Sequence, residues 1–189
     1  MKGFKWFEVY ALALVFVWFG SQAAAAEEFT LNSPQMQAGN QMAMEQVFNG
    51  FGCTGKNVSP ELHWSRVPAG TKSLALTVYD PDAPTGSGWW HWVIFNMDPK
   101  TTSLPANAGD VSAKLAPAGS VQSRTDFGRT GYGGPCPPAG DKPHRYIFTL
   151  FALDVAQLPL DETTPAAMVG FNLNQHAIRK AQMTMLYGR

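Results

Sequence analysis

Three short runs constrain this chain more than anything else in it. Ser73-Leu74-Ala75-Leu76-Thr77-Val78-Tyr79-Asp80 sets Leu74, Leu76 and Val78 at alternate positions, the period of a strand. His91-Trp92-Val93-Ile94-Phe95-Asn96 and Tyr146-Ile147-Phe148-Thr149-Leu150-Phe151 are β-branched or aromatic almost throughout, side chains that pack well on a pleated surface. These last two are nearly all apolar, so they are predicted as central strands covered on both faces.

The rest of the chain fits around them. Phe29–Ser33, Gln46–Phe48 and Leu62–Trp64 are weaker strand candidates. The stretch between Asn96 and Tyr146 is rich in Gly, Pro and Ala, and is predicted as ordered loop with one short strand near Val121. Helix signals come late. Thr163-Thr164-Pro165 offers an N-cap and a first-turn proline for a helix over Ala166–Leu173, extending through His176–Lys180. Met183–Tyr187 would be a last strand. No repeat or linker divides the chain, so the expectation is one mostly-β, sandwich-like domain with one or two short helices near its C-terminus.

The N-terminus stands apart from this plan. Lys2 and Lys5 precede an uncharged apolar run from Val9 to Phe19, and Ala23-Ala24-Ala25-Ala26 follows. A basic start, an apolar middle and a small-residue exit read as a secretory signal peptide over residues 1–26, leaving a domain over 27–189. The alternative is a retained membrane anchor, since the uncharged stretch is close to the shortest bilayer span. Export to the periplasm or the medium would put Cys53 and Cys136, the two cysteines of the chain, where they can pair. The other possibility is a pair of buried free thiols. Across the whole sequence 14 basic residues balance 14 acidic ones, which argues against nucleic acid as a partner.

Chemistry-bearing residues gather in three places. Asp80-Pro81-Asp82-Ala83-Pro84 follows the first strand as a rigid corner with two carboxylates; its plainer reading is a strand-ending turn. Trp89-Trp90-His91-Trp92 puts a histidine at the head of the second, where a core histidine bonded to a carbonyl is the plainer alternative. Gly133-Gly134-Pro135-Cys136-Pro137-Pro138 precedes His144-Arg145 at the head of the third, and by itself reads as a stiff loop. All three lie at strand ends, where sandwich proteins collect binding loops. His63 and His176 carry no motif and are left outside the site.

Taken in order, the Asp80–Pro84 corner, Trp90-His91-Trp92, Gly134-Pro135-Cys136-Pro137-Pro138, His144-Arg145-Tyr146 and the terminal Leu186-Tyr187-Gly188-Arg189 resemble the phosphatidylethanolamine-binding protein family, in its bacterial Raf kinase inhibitor-like branch. The resemblance implies a Greek-key β-sandwich with a small anion pocket at one end. By matching position, Asp80 and His91 would line that pocket, His144 would face them, and Ala83, Cys136 and Pro137 would form its rim. Asp82 would prop the loop through Arg145.

The expected ligand is a small phosphorylated anion or a lipid head group, bound without cofactor, metal or catalysis, and a protein target that the chain modulates is a further candidate partner. Imidazoles that charge near neutral pH would strengthen phosphate binding as pH falls from about 8 to about 6. The competing expectation is a hydrolase using the same residues, through zinc or through histidine and aspartate as base and orienter. An exposed edge strand could also pair two chains into a homodimer.

Overall fold

The computed structural model describes residues 1–2 and 28–189. The leader read at residues 1–26 lies outside them, apart from its first two residues. Among the described residues the strands are β1 (Thr30–Asn32), β2 (Asn49–Gly50), β3 (Cys53–Thr54), β4 (Leu62–Ser65), β5 (Ser73–Asp80), β6 (Trp89–Met97), β7 (Ser103–Leu104), β8 (Val121–Gln122), β9 (His144–Leu153) and β10 (Ala177–Tyr187). Helix α1 (Ala166–His176) precedes the last of them, and Val111–Ala113 form a 3₁₀ turn.

The three strongest strand runs, now β9, β5 and β6, lie side by side. The large sheet runs β10-β9-β5-β6-β8, and a small sheet runs β1-β4-β7. Every strand pairing in both is antiparallel. Numbered along the chain, β5, β6, β8 and β9 take the spatial order four-one-two-three, with β9 returning after a long excursion to lie against β5. That order is the Greek key.

Alternation on the central strands explains why they are apolar on both sides. Leu74, Leu76 and Val78 of β5, Trp92 and Ile94 of β6, and Tyr146, Phe148 and Leu150 of β9 face Leu31, Leu62, Trp64 and Leu104 of the small sheet in one core. Ala75, Val93, Phe95, Phe151 and Leu153 point the other way and bury Ala166, Val169 and Leu173 of α1. The large sheet is thus the middle layer of three.

Three local expectations need correction. The helix does not continue into Ile178–Lys180; those residues are strand, and β10 is longer than Met183–Tyr187. Ala177 pairs with Leu153 and Tyr187 with His144, so the exposed backbone of β9 recruits the chain directly after His176. Gln46–Phe48 is no strand either. The Phe48 N–H donates to the Pro135 carbonyl at 3.1 Å and the Val47 carbonyl accepts from Asn57 N–H at 2.8 Å, so the proline-rich loop and the segment around Asn57 take the groups a ladder would use. Thr164 does not cap α1: the cap position is Pro165 with no side-chain bond, because the Thr164 hydroxyl is engaged with Asp161.

Candidate functional site

Asp80, His91 and His144 arrive at one place through three separate backbone devices. Asp80 is the last residue of β5 and pairs with Trp89. Val78 of β5 pairs with Trp92 of β6 and Tyr79 with Trp90, so His91 is the extra residue of a β-bulge. A bulge re-aims side chains and increases twist, which is how His91 and Trp92 come to be buried as neighbours. His144 opens β9 opposite Tyr187.

The bulge at His91 is fixed by Gly133. The Gly133 N–H donates to the His91 carbonyl at 2.8 Å, and His91 Nδ1–H donates to the Gly133 carbonyl at 2.7 Å. Its neighbour Gly134 must be glycine: a Cβ there would collide with the Gln46 carbonyl oxygen.

His144 Nδ1 donates to Asp80 Oδ2 at 2.8 Å, and the other oxygen of that carboxylate accepts the Asp82 N–H at 2.8 Å. Both histidines therefore commit Nδ1 to the protein and keep Nε2 free of any such short bond. Burial holds the His91 imidazole down at about 4, against the pull of the Gly133 carbonyl and the Asp80 charge. In the free protein His91 is neutral at pH 7, with Nε2 an acceptor. The expectation that this imidazole is cationic near neutral pH is corrected by its depth.

Asp80, Ala83, His91, Cys136, Pro137 and His144 all line a single cavity of about 160 Å³. Asp82 and Arg145 do not line it. Instead Arg145 clasps the Asp82 carboxylate, with Nε at 2.9 Å and Nη2 at 2.7 Å, while the Arg145 N–H adds a third bond at 2.9 Å. That guanidinium holds the Asp82 carboxyl down at about 2. The clasp ties the Pro81–Pro84 corner to the head of β9. His63 and His176 stay outside the cavity, paired with Glu61 and Asp154.

Several wall residues were not anticipated. Tyr146 is 1% exposed, lies edge-on to His91 at 5.0 Å between ring centroids, and its hydroxyl has no hydrogen-bond partner among the described residues. Burial raises its pKa far above the ordinary phenol value, so it is a permanent donor. The signal was present, because Tyr146 follows His144 by two and shares its face of the strand. Phe51, Trp89 and Phe127 form an aromatic wall: Phe127 lies edge-on to both His91 and Trp89 and stacks on Phe51. Nothing local in the sequence brings Phe51 here. The Cys53–Cys136 disulfide does, by fastening the β2-β3 hairpin to the loop that carries Cys136 and Pro137. Arg189 adds a strap, donating from Nε to the Pro137 carbonyl at 2.7 Å and from Nη1 to that of Gly52 at 3.2 Å.

Comparison with known proteins places this architecture. The family model described as phosphatidylethanolamine-binding protein matches residues 32–188. The chain belongs to the phosphatidylethanolamine-binding protein family. Among relatives in that family, UPF0098 protein YbcL of Escherichia coli K12 is 49% identical over 179 residues, covering 95% of this chain and 96% of YbcL. YbhB of the same organism is 49% identical over 157 residues, covering 83% of this chain and 98% of its own. LppC of Mycobacterium tuberculosis, named a lipoprotein, is 42% identical over 138 residues, covering 72% of this chain and 62% of LppC. The crystal structure of YbcL superposes with a TM-score of 0.85 at 50% identity, covering 86% of this chain and 99% of that one. Phosphatidylethanolamine-binding proteins are, as a family, binding proteins.

Proposed function

We propose that this protein is an exported, non-catalytic binding protein whose cavity takes the phosphate-type group of a small phosphorylated molecule or a phospholipid head group. One observation carries the reading. Tyr146, whose buried hydroxyl has no hydrogen-bond partner among the described residues, lines the same cavity as His91 and His144, and each histidine spends Nδ1 on the protein and keeps Nε2 free of a short bond. A few polar side chains in the wall of an otherwise apolar cup fix the orientation of a small polar ligand. The volume, about 160 Å³, is near that of a cavity that holds one benzene ring. A phosphate group fits; an acyl chain does not.

The electrostatics determine which protonation state binds. No Lys or Arg is among the lining residues, and Asp80 contributes a negative charge. An oxyanion is therefore held by Tyr146 O–H and by protons placed on the imidazoles. Since His91 is neutral when the cavity is empty, the proton arrives with the ligand or is taken up on binding. Affinity for phosphate should rise from about pH 8 to about pH 6 for that reason, rather than through prior charging of His91.

Two features favour binding over hydrolysis. Cys136 is locked in the disulfide and supplies no thiolate nucleophile. His144 Nδ1 and both Asp80 oxygens are spent within the protein. The disulfide, the leader pattern in the sequence and the lipoprotein relative together support an extracytoplasmic location.

Titration calorimetry with inorganic phosphate in two buffers of different ionisation enthalpy tests the site. Saturable binding with net proton uptake, weakened about tenfold by Tyr146→Phe, is the expected result; that factor corresponds to one hydrogen bond to a charged group. Binding unaffected by Tyr146→Phe, or coupled to no proton, would overturn it.

A further inference from the structure

The loop between the cavity rim and β9 places a second carboxylate on His144. Asp141 Oδ2 lies 3.5 Å from His144 Nε2, the ring nitrogen that Asp80 leaves over. His144 is thus flanked on both nitrogens, by a buried carboxylate on one side and by one that is 45% exposed on the other.

Asp141 is held there by its turn. The Asp141 N–H donates to the Pro138 carbonyl at 3.3 Å, the Gly140 N–H donates to the Arg189 carbonyl at 2.9 Å, and Gly140 takes a φ of +88° to close the turn. Pro138 itself lines the cavity, so the backbone that positions Asp141 is continuous with the rim. The side chain faces solvent on its other side and can swing aside when a ligand reaches Nε2.

We propose that Asp141 is a charge-selectivity residue for this cavity: its carboxylate stands against His144 Nε2, just outside the residues that line the cavity, and its charge discriminates against dianions. The inference rests on the anion-binding reading given above. Displaced by a ligand oxygen, the carboxylate remains a few ångströms from the bound anion, at a half-exposed position where Coulomb repulsion is reduced but not abolished. That repulsion is proportional to ligand charge, so a dianion is penalised twice as much in free energy as a monoanion. No lining Lys or Arg offsets it. The filter therefore favours singly charged phosphodiesters, or anions carrying a compensating cation, over free phosphate monoesters in their dianionic form.

The test uses two probes that differ in charge. Dimethyl phosphate is a monoanion throughout, and methyl phosphate is a dianion at pH 8, above its second pKa of about 6. Dissociation constants for both are measured at pH 8 and low salt on the wild type, Asp141→Asn and Asp98→Asn. Asp98 follows the far end of β6 and controls for net charge. Asp141→Asn should tighten dimethyl phosphate about threefold and methyl phosphate about tenfold, the square of the first factor, while Asp98→Asn changes neither. Salt at about 1 M should shrink both gains. Equal gains for the two probes, or no gain, would overturn the filter while leaving the cavity reading intact. Failure of the wild type to bind either probe would instead overturn the cavity reading, and the filter with it.

Discussion

The depressed His91 pKa makes a demand on folding stability that can be measured without a ligand. In the unfolded chain a histidine titrates at about 6.5, whereas in the folded protein burial holds His91 at about 4. Between those values the unfolded state binds a proton that the native state does not, so stability rises with pH across this window and falls as pH drops through it. About 2.5 units at 1.36 kcal/mol per unit amounts to about 3 kcal/mol lost between pH 7 and pH 4. Asp82 contributes in the same direction but lower down, because its stabilisation disappears between about 3.8 and about 2. The assay is the urea midpoint of wild type and His91→Gln from pH 7 to pH 4, with the histidine resonances followed by NMR. The wild type should lose about 3 kcal/mol more than the variant over that range, and one imidazole should resist protonation to about pH 4. Parallel pH profiles, with the His91 imidazole protonating near about 6.5, would refute the assignment of a buried neutral imidazole.

Other perturbations follow from the same geometry. Asp82→Ala removes the carboxylate that accepts three bonds from Arg145; the pair is partly exposed, so stability should fall by only about 1 kcal/mol, while phosphate affinity by calorimetry falls further as the Pro81–Pro84 corner loosens. Replacing Cys53 and Cys136 together with Ser opens a cross-link between positions 83 apart and should cost up to about 4–5 kcal/mol, read as a lowered denaturant midpoint that a reductant no longer shifts. Gly134→Ala forces a methyl against the Gln46 carbonyl and should cost about 1–3 kcal/mol by thermal denaturation; an unchanged midpoint would contradict the close approach.

Some of this architecture was readable in advance, for a definite physical reason. Strands covered on both faces are apolar almost throughout, so β6 and β9 declared themselves through composition, and β5 through the alternation of Leu74, Leu76 and Val78. The three polar clusters sat at the ends of those strands and were joined through the family resemblance. What escaped depends on partners distant in sequence. The switch from helix to strand at Ala177 is set by unfilled backbone groups on β9, and no local propensity encodes them. Phe51 joins the wall only because Cys53 is bonded to Cys136. The charge state of His91 follows from its burial at a bulge, which leaves no local mark on the sequence. Tyr146 alone could have been found, by applying the two-residue period from His144.

The central claim is that phosphate-type groups enter the cup formed by Asp80, His91, His144 and Tyr146. Its most direct measurement is a backbone and side-chain NMR titration of the full chain with inorganic phosphate at pH 6. Perturbations concentrated on these four residues and on Ala83 and Pro137 would bear the claim out. Saturable shifts clustered on another surface, or none at millimolar phosphate, would contradict it.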